Sequence, residues 1–289
     1  MHQLQTLEHP YALAAEFSRD GTRLVTAGMN NDLTVWQTVN WRRETHINAH
    51  EKSINALVLS PDGRILVTGS SDCTAAIRSF PDLEERHRVQ DRKKVVAGLA
   101  RSPDTDLFAM CSYGGRIAAW GLDGQPTAGF KASLRNLTAV AFWEKSTQVL
   151  TGGLGGEITI WSFPGGRSLG TVPAHDIALS AIKADGANRQ VWTLGYEGQL
   201  KLWDAEGWRL MRGEQLADER IMGCRLDLER RRAAILTAGR IRLFDLDAWT
   251  WLDAIEVESN VLTCAAWSPD GATLAVGSAD RRLRILTVD

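Results

Sequence analysis

The chain has 289 residues, 44% of them hydrophobic and 24% charged, which excludes disordered and fibrous classes. Its net charge of -2 gives no overall pull toward nucleic acid or an anionic membrane. No apolar stretch approaches the roughly 20 residues of a membrane-spanning helix, and the start MHQLQTLEHP lacks the basic and apolar sections of a secretory signal, so a cytoplasmic location is expected.

Residues 2–9, HQLQTLEH, read as a polar strand ending in a histidine and resemble RETHINAH at 43–50. A repeating order follows. An alternating apolar run such as INALVLS at 54–60 reads as a strand. A turn comes next: SRDG at 18–21, SPDG at 60–63 and SPDG at 268–271. A second apolar run such as RILVTGS leads through a tight turn into a third strand, and a polar segment such as RRETHI at 42–47 makes a fourth, outer strand. The third strands end near residues 36, 78, 120, 161, 203, 244 and 286, at steps of 41 or 42. That regularity divides residues 1–289 into seven four-stranded units within one domain. No sustained helical periodicity interrupts them. The last unit reaches residue 289 without an outer strand, so residues 2–9 are expected to complete it and close a ring.

Cys73, Cys111, Cys224 and Cys264 form no CxxC pair, which predicts buried, reduced thiols and neither disulfides nor a zinc site. HExxH, GxxxxGK[ST] and GxSxG motifs are absent. ERRR at 229–232, RRLR at 281–284 and the mixed segment DLEERHRVQDRKK at 82–94 are expected to be solvated surface, since a nucleic-acid site needs one coherent basic face.

The period, SPDG, LVTGSSD, LWD at 202–204 and Ala-His at 49–50 and 174–175 resemble the WD-repeat family over essentially the whole chain. Trp203–Asp204 is the one literal Trp-Asp pair at a strand end. The resemblance implies an all-β, seven-bladed β-propeller of four-stranded antiparallel blades. It also implies a hydrogen-bonded chain in each blade, running from an acid to His, then Ser or Thr, then Trp. The matching residues are His9, Thr26, Asn30 and Trp36 in the first unit. The second offers His50, Thr68 and Asp72 with Arg78 in the Trp place; the fifth offers His175, Thr193, Glu197 and Trp203. Recurrence in several units marks these groups as structural, not as a hydrolase triad. Trp41, Trp208 and Trp249 each follow a strand end by five residues, with Trp251 two further on, which points to a repeated packing role.

The resemblance also implies three positions per blade on the face carrying the links into first strands and the turns after second strands. They are Tyr11, Leu13 and Met29; Ser53, Asn55 and Ser71; Val95, Ala97 and Tyr113; Asn136, Thr138 and Leu154; Ala178, Ser180 and Tyr196; Arg220, Met222 and Thr237; Val261, Thr263 and Ala279. All three tyrosines fall in this set, with two Met and no carboxylate. Such a composition suits an interface core. The partner-binding candidates are therefore Tyr11, Leu13, Met29, Asn55, Val95, Tyr113, Leu154, Tyr196, Arg220, Met222 and Val261. The expected function is a non-catalytic scaffold for a protein or peptide partner, without cofactor, nucleic acid or membrane. The alternatives are a metal-dependent hydrolase-type site at the channel mouth and a sensor of small molecules or modified peptides.

Overall fold

A computed structural model describes residues 1–9, 11–90, 94–216, 221–259 and 261–288. Its regular elements are strands, and no helix is long and apolar enough to cross a membrane among the described residues. Strand β1 is His2–Glu8. Blade 1 holds β2 (Ala12–Phe17), β3 (Arg23–Gly28), β4 (Asp32–Gln37) and β5 (Arg43–Asn48). Blade 2 holds β6 (Ile54–Leu59), β7 (Ile65–Ser70), β8 (Thr74–Ser79) and β9 (Glu85–Gln90). Blade 3 holds β10 (Val96–Arg101), β11 (Leu107–Ser112), β12 (Arg116–Gly121) and β13 (Pro126–Lys131). Blade 4 holds β14 (Leu137–Trp143), β15 (Gln148–Gly153), β16 (Glu157–Ser162) and β17 (Ser168–Pro173). Blade 5 holds β18 (Leu179–Asp185), β19 (Gln190–Gly195), β20 (Gln199–Asp204) and β21 (Arg209–Gln215). Blade 6 holds β22 (Gly223–Asp227), β23 (Arg232–Thr237), β24 (Arg240–Asp245) and β25 (Thr250–Glu256). Blade 7 holds β26 (Leu262–Trp267), β27 (Thr273–Ser278) and β28 (Arg282–Thr287), and β1 pairs antiparallel with β28 to complete it.

The first hairpin of three blades is set by one repeated piece of turn chemistry. Gly21, Gly63 and Gly271 take the left-handed backbone, with φ of 70°, 70° and 72°. Each glycine N–H donates to the carbonyl of Ser18, Ser60 or Ser268, at 2.9, 2.9 and 2.8 Å. The intervening Asp20, Asp62 and Asp270 accept from the backbone N–H two residues on. The serine hydroxyls hold all three carboxyl groups below the usual range.

Middle strands are buried on both faces because each blade packs between two others. Period-two alternation sends neighbouring residues to opposite junctions. Leu24 enters the core between blades 7 and 1, while Val25 enters that between blades 1 and 2. Seven clusters of buried residues result, each spanning one pair of adjacent blades. Outer strands stay wet: every residue of β21 is exposed.

Two sets of contacts sew the ring together. On the face that carries the links into first strands, the Asn55 amide donates to Val96 O at 2.9 Å, and the hydroxyls of Thr138 and Thr263 donate to Leu179 O and Ala12 O of the next blade. On the opposite face, Arg19 donates to Pro61 O at 3.2 Å, Arg189 meets Glu144 at 3.1 Å, and Arg231 meets Asp185 at 3.1 Å. Arg230 reaches Pro269 O at 2.6 Å. The expectation that ERRR is merely solvated therefore needs correcting. Arg230 and Arg231 tie blade 6 to blades 7 and 5, because the first hairpin of each blade lies against its neighbours. Arg284 of RRLR is likewise buried, paired with Asp280.

Candidate functional site

The bonded chains differ from blade to blade. In blade 5, His175 Nδ1 lies 2.6 Å from Glu197 Oε1, its Nε2 lies 2.9 Å from Thr193 Oγ1, and the Trp203 indole N–H donates to that hydroxyl at 2.9 Å. A neutral imidazole protonated on Nδ1 satisfies this order. Burial pushes His175 and His50 below the ordinary histidine range against the pull of their carboxylates. In blade 2, His50 meets Asp72 at 2.8 Å and Thr68 at 2.9 Å. Arg78 replaces the indole and donates to Leu83 O at 3.0 Å and Ala49 O at 2.9 Å, with Glu85 as its ion pair. In blade 1, Thr26 links His9 at 2.8 Å and Trp36 at 2.9 Å, but Asn30 is exposed and stands outside the chain of bonds. Blade 3 substitutes packing for bonds: Phe108 stacks on Trp120 with ring centres 5.7 Å apart.

Next to these chains lies the face where links enter first strands and second strands turn. The backbone joins the first and third positions of six blades. Met29, Ser71, Tyr113, Leu154, Tyr196 and Ala279 donate N–H to Tyr11, Ser53, Val95, Asn136, Ala178 and Val261, at 2.9–3.1 Å. The second position of the triplet sits at a register shift in the same six blades: Leu13, Asn55, Ala97, Thr138, Ser180 and Thr263. A bulge there re-aims the side chain, and Asn55, Thr138 and Thr263 use it to reach the next blade. Asn55 is therefore half-buried and engaged within the ring. Blade 6 departs from the pattern. Ala238 and Gly239 make a two-residue turn after Thr237, which is buried, so the exposed turn residue there is Ala238. Ala178 is also buried. Arg220 lies outside the described residues, while Tyr11, Leu13, Val95, Tyr196, Met222 and Val261 are half-buried.

Large apolar side chains on this face are open to solvent: Met29 at 53%, Tyr113 at 48%, Leu154 at 47%, Leu134 at 96% and Ile177 at 61%. Leu134 and Ile177 lie in links into first strands and were not among the sequence candidates. Gly115 O, in the turn after Tyr113, accepts from the N–H groups of Ala132 and Ser133 at 2.8 and 2.9 Å. Gly156 O, in the turn after Leu154, accepts from Ala174 and His175 at 3.2 and 2.8 Å. Tyr113, Leu134, Leu154, Ile177 and Tyr196 thus occupy successive sectors of one arc over blades 3 to 5. On the opposite face the exposed large apolar residue is Val39, among the described residues.

Among the described residues no group of three or more His, Cys, Asp or Glu could hold a metal ion. All four cysteines are free, and burial pushes the Cys111 and Cys224 thiols up to about 12 and Cys264 to about 11. Cys73 and Cys224 are only half-buried by exposure.

A profile of the family described as "WD domain, G-beta repeat" matches residues 1–37, 41–78 and 255–286. A mouse (Mus musculus) protein named "Telomerase protein component 1" is 26% identical over 187 residues. That similarity covers 63% of this chain and 7% of the relative's length.

Proposed function

We propose that this seven-bladed β-propeller, three segments of which match the WD-domain profile, is a non-catalytic platform that binds a protein segment on the arc over blades 3 to 5. The observation that carries the reading is the segregation of exposed apolar residues. Among the described residues, five stand on this face and one on the opposite face, while the others decorate the outer strands. Half-open Tyr and Leu side chains on a rigid, bulge-stiffened backbone lose little entropy when covered. The name of the mouse relative describes a component of a larger assembly, and a propeller that displays an apolar arc suits work of that kind. Tyr113 and Tyr196 flank the arc and Leu154 is its centre. Met29, Met222, Tyr11, Leu13, Val95 and Val261 extend the same face around the ring.

The test is affinity capture with the wild-type chain, a Tyr113→Ala/Tyr196→Ala variant and a Val39→Asp control on the opposite face. Partners retained by wild type and by the control but lost by the folded double variant support the arc. A folded double variant that keeps every partner overturns it.

A further inference from the structure

The inner strands carry a second chemistry, on the axis of the ring. One register position recurs in all seven, marked by its pairing with the second strand of its blade. Glu16, Val58, Ala100, Ala141, Lys183, Arg225 and Ala266 occupy it. Four are short and apolar; three are charged. Arg101, one residue further along β10, joins them. Glu16 feels the charges of Arg225, Arg101 and Lys183, and Lys183 feels Arg225, Glu16 and Arg101. These groups belong to blades 1, 3, 5 and 6. On the innermost strands, where Lys183 and Arg225 are exposed and Glu16 is half-buried, the water these side chains reach is that of the central bore.

The carboxylate is already committed. Glu16 Oε2 accepts from the Leu59 N–H at 3.3 Å, and Oε1 lies 3.9 Å from Arg101 Nη1, which also donates to Leu59 O at 2.7 Å. The side chains of Lys183 and Arg225, on the adjacent blades 5 and 6, have no hydrogen bond or ion pair among the described residues. Asp185, the acid nearest Lys183 in sequence, is held by Arg231 at 3.1 Å. Both side chains are exposed to water, yet desolvation within the ring and the Arg225 charge bring the Lys183 ammonium down to about 8. A narrow aqueous bore has this effect, giving a charge some water but less than an open surface does. Two like charges that face one bore repel each other, and an anion between them relieves that repulsion.

We propose that Lys183 and Arg225 form an anion site in the bore, near the end away from the partner face, that takes a small multivalent oxyanion of the phosphate class. Net charge selects the valence: three cations face one carboxylate, leaving an excess of two. The guanidinium fork and the ammonium point charge together match tetrahedral oxygens. The short side chains of blades 2, 3, 4 and 7 leave the space.

The experiment titrates inorganic phosphate and pyrophosphate into the chain by calorimetry at constant ionic strength, with chloride as reference. Thermal melts are run in parallel. Wild type is expected to bind pyrophosphate saturably, and Lys183→Met/Arg225→Met to bind about tenfold more weakly or not at all. Glu16→Gln removes the opposing charge and is expected to bind more tightly. Absence of saturable binding to wild type, or equal binding by the folded double variant, overturns the site. Should the double variant fail to fold, Glu16→Gln decides: tighter binding supports the site, and unchanged or weaker binding overturns it.

Discussion

At the turn from third to outer strand the backbone must pass through the left-handed region, and this chain fills the position in two ways. Gly124 and Gly166 adopt φ of 79° and 68°; Trp41, Leu83, Trp208 and Trp249 adopt 55°, 63°, 51° and 61°. A side chain there costs about 1–2 kcal/mol, so it has to return something in packing. Trp249 stacks on Trp192 of blade 5 with ring centres 5.6 Å apart and meets Phe244 edge-on at 5.7 Å, with Arg212 over it at 4.9 Å. Trp41 meets Phe17 edge-on at 6.4 Å. Both Trp249→Ala and Trp249→Gly are expected to lose about 2–4 kcal/mol of stability. The glycine variant should be the more stable of the two by about 1 kcal/mol, since it keeps none of the strain. Denaturant unfolding checks the order, and an alanine variant equal to or above glycine contradicts it. The five-residue offset of these tryptophans was legible in the sequence, but their left-handed backbone was not, because φ leaves no mark on a Trp codon by codon. Leu134 and Ile177 escaped for a different reason: links into first strands carry no repeated motif to align.

Strands were legible almost to the residue, because a period of 41 or 42 repeated seven times averages out local ambiguity. Each third strand ends one residue beyond the position read from the repeat. Blade 6 is where the alignment slipped, since a two-residue turn replaces the longer ones and Thr237 drops into the interior. The charged bore was missed because its residues share a register in three blades only, too few to read as a pattern. Strand β1 has little core of its own: Leu7 is its one buried residue. Its value lies in covering the edge of β28, with His2 opposite Thr287 and Glu8 opposite Arg282. Deleting residues 2–8 is expected to cost at least about 2 kcal/mol, the lower range for truncating a buried leucine, and to promote self-association through the bared edge. Thermal melts and size-exclusion chromatography check both. Replacing the exposed Gln3 and Gln5 by Thr should do neither.

The ring as a whole is expected to be acid-labile. His50 and His175 titrate below their ordinary 6.5 in the folded chain because burial disfavours their charged form. As pH falls through 6.5 the unfolded chain takes protons that the folded chain refuses, so stability declines. Burial pushes Asp72 upward, but the Thr74 hydroxyl, the Glu51 N–H and His50 outweigh it and hold the carboxyl down to about 2. Its contribution is present above its ordinary 3.8 and is lost between there and about 2. Glu16 and Asp32 oppose this trend, since burial raises both. The histidine share is isolated by comparison: melting temperature should fall from pH 7 to about 5.5 in wild type and fall less in His50→Gln/His175→Gln. Equal slopes in the two chains contradict the assignment. The closure of blade 7 also has a consequence in time. Residue 2 pairs with residue 287, and a ribosome adding roughly 5–20 residues per second leaves β1 waiting roughly fifteen seconds to a minute for its partner to exist. A strand with one buried residue in seven can spend that interval in water, and the last blade to be made is the one that the first residues lock.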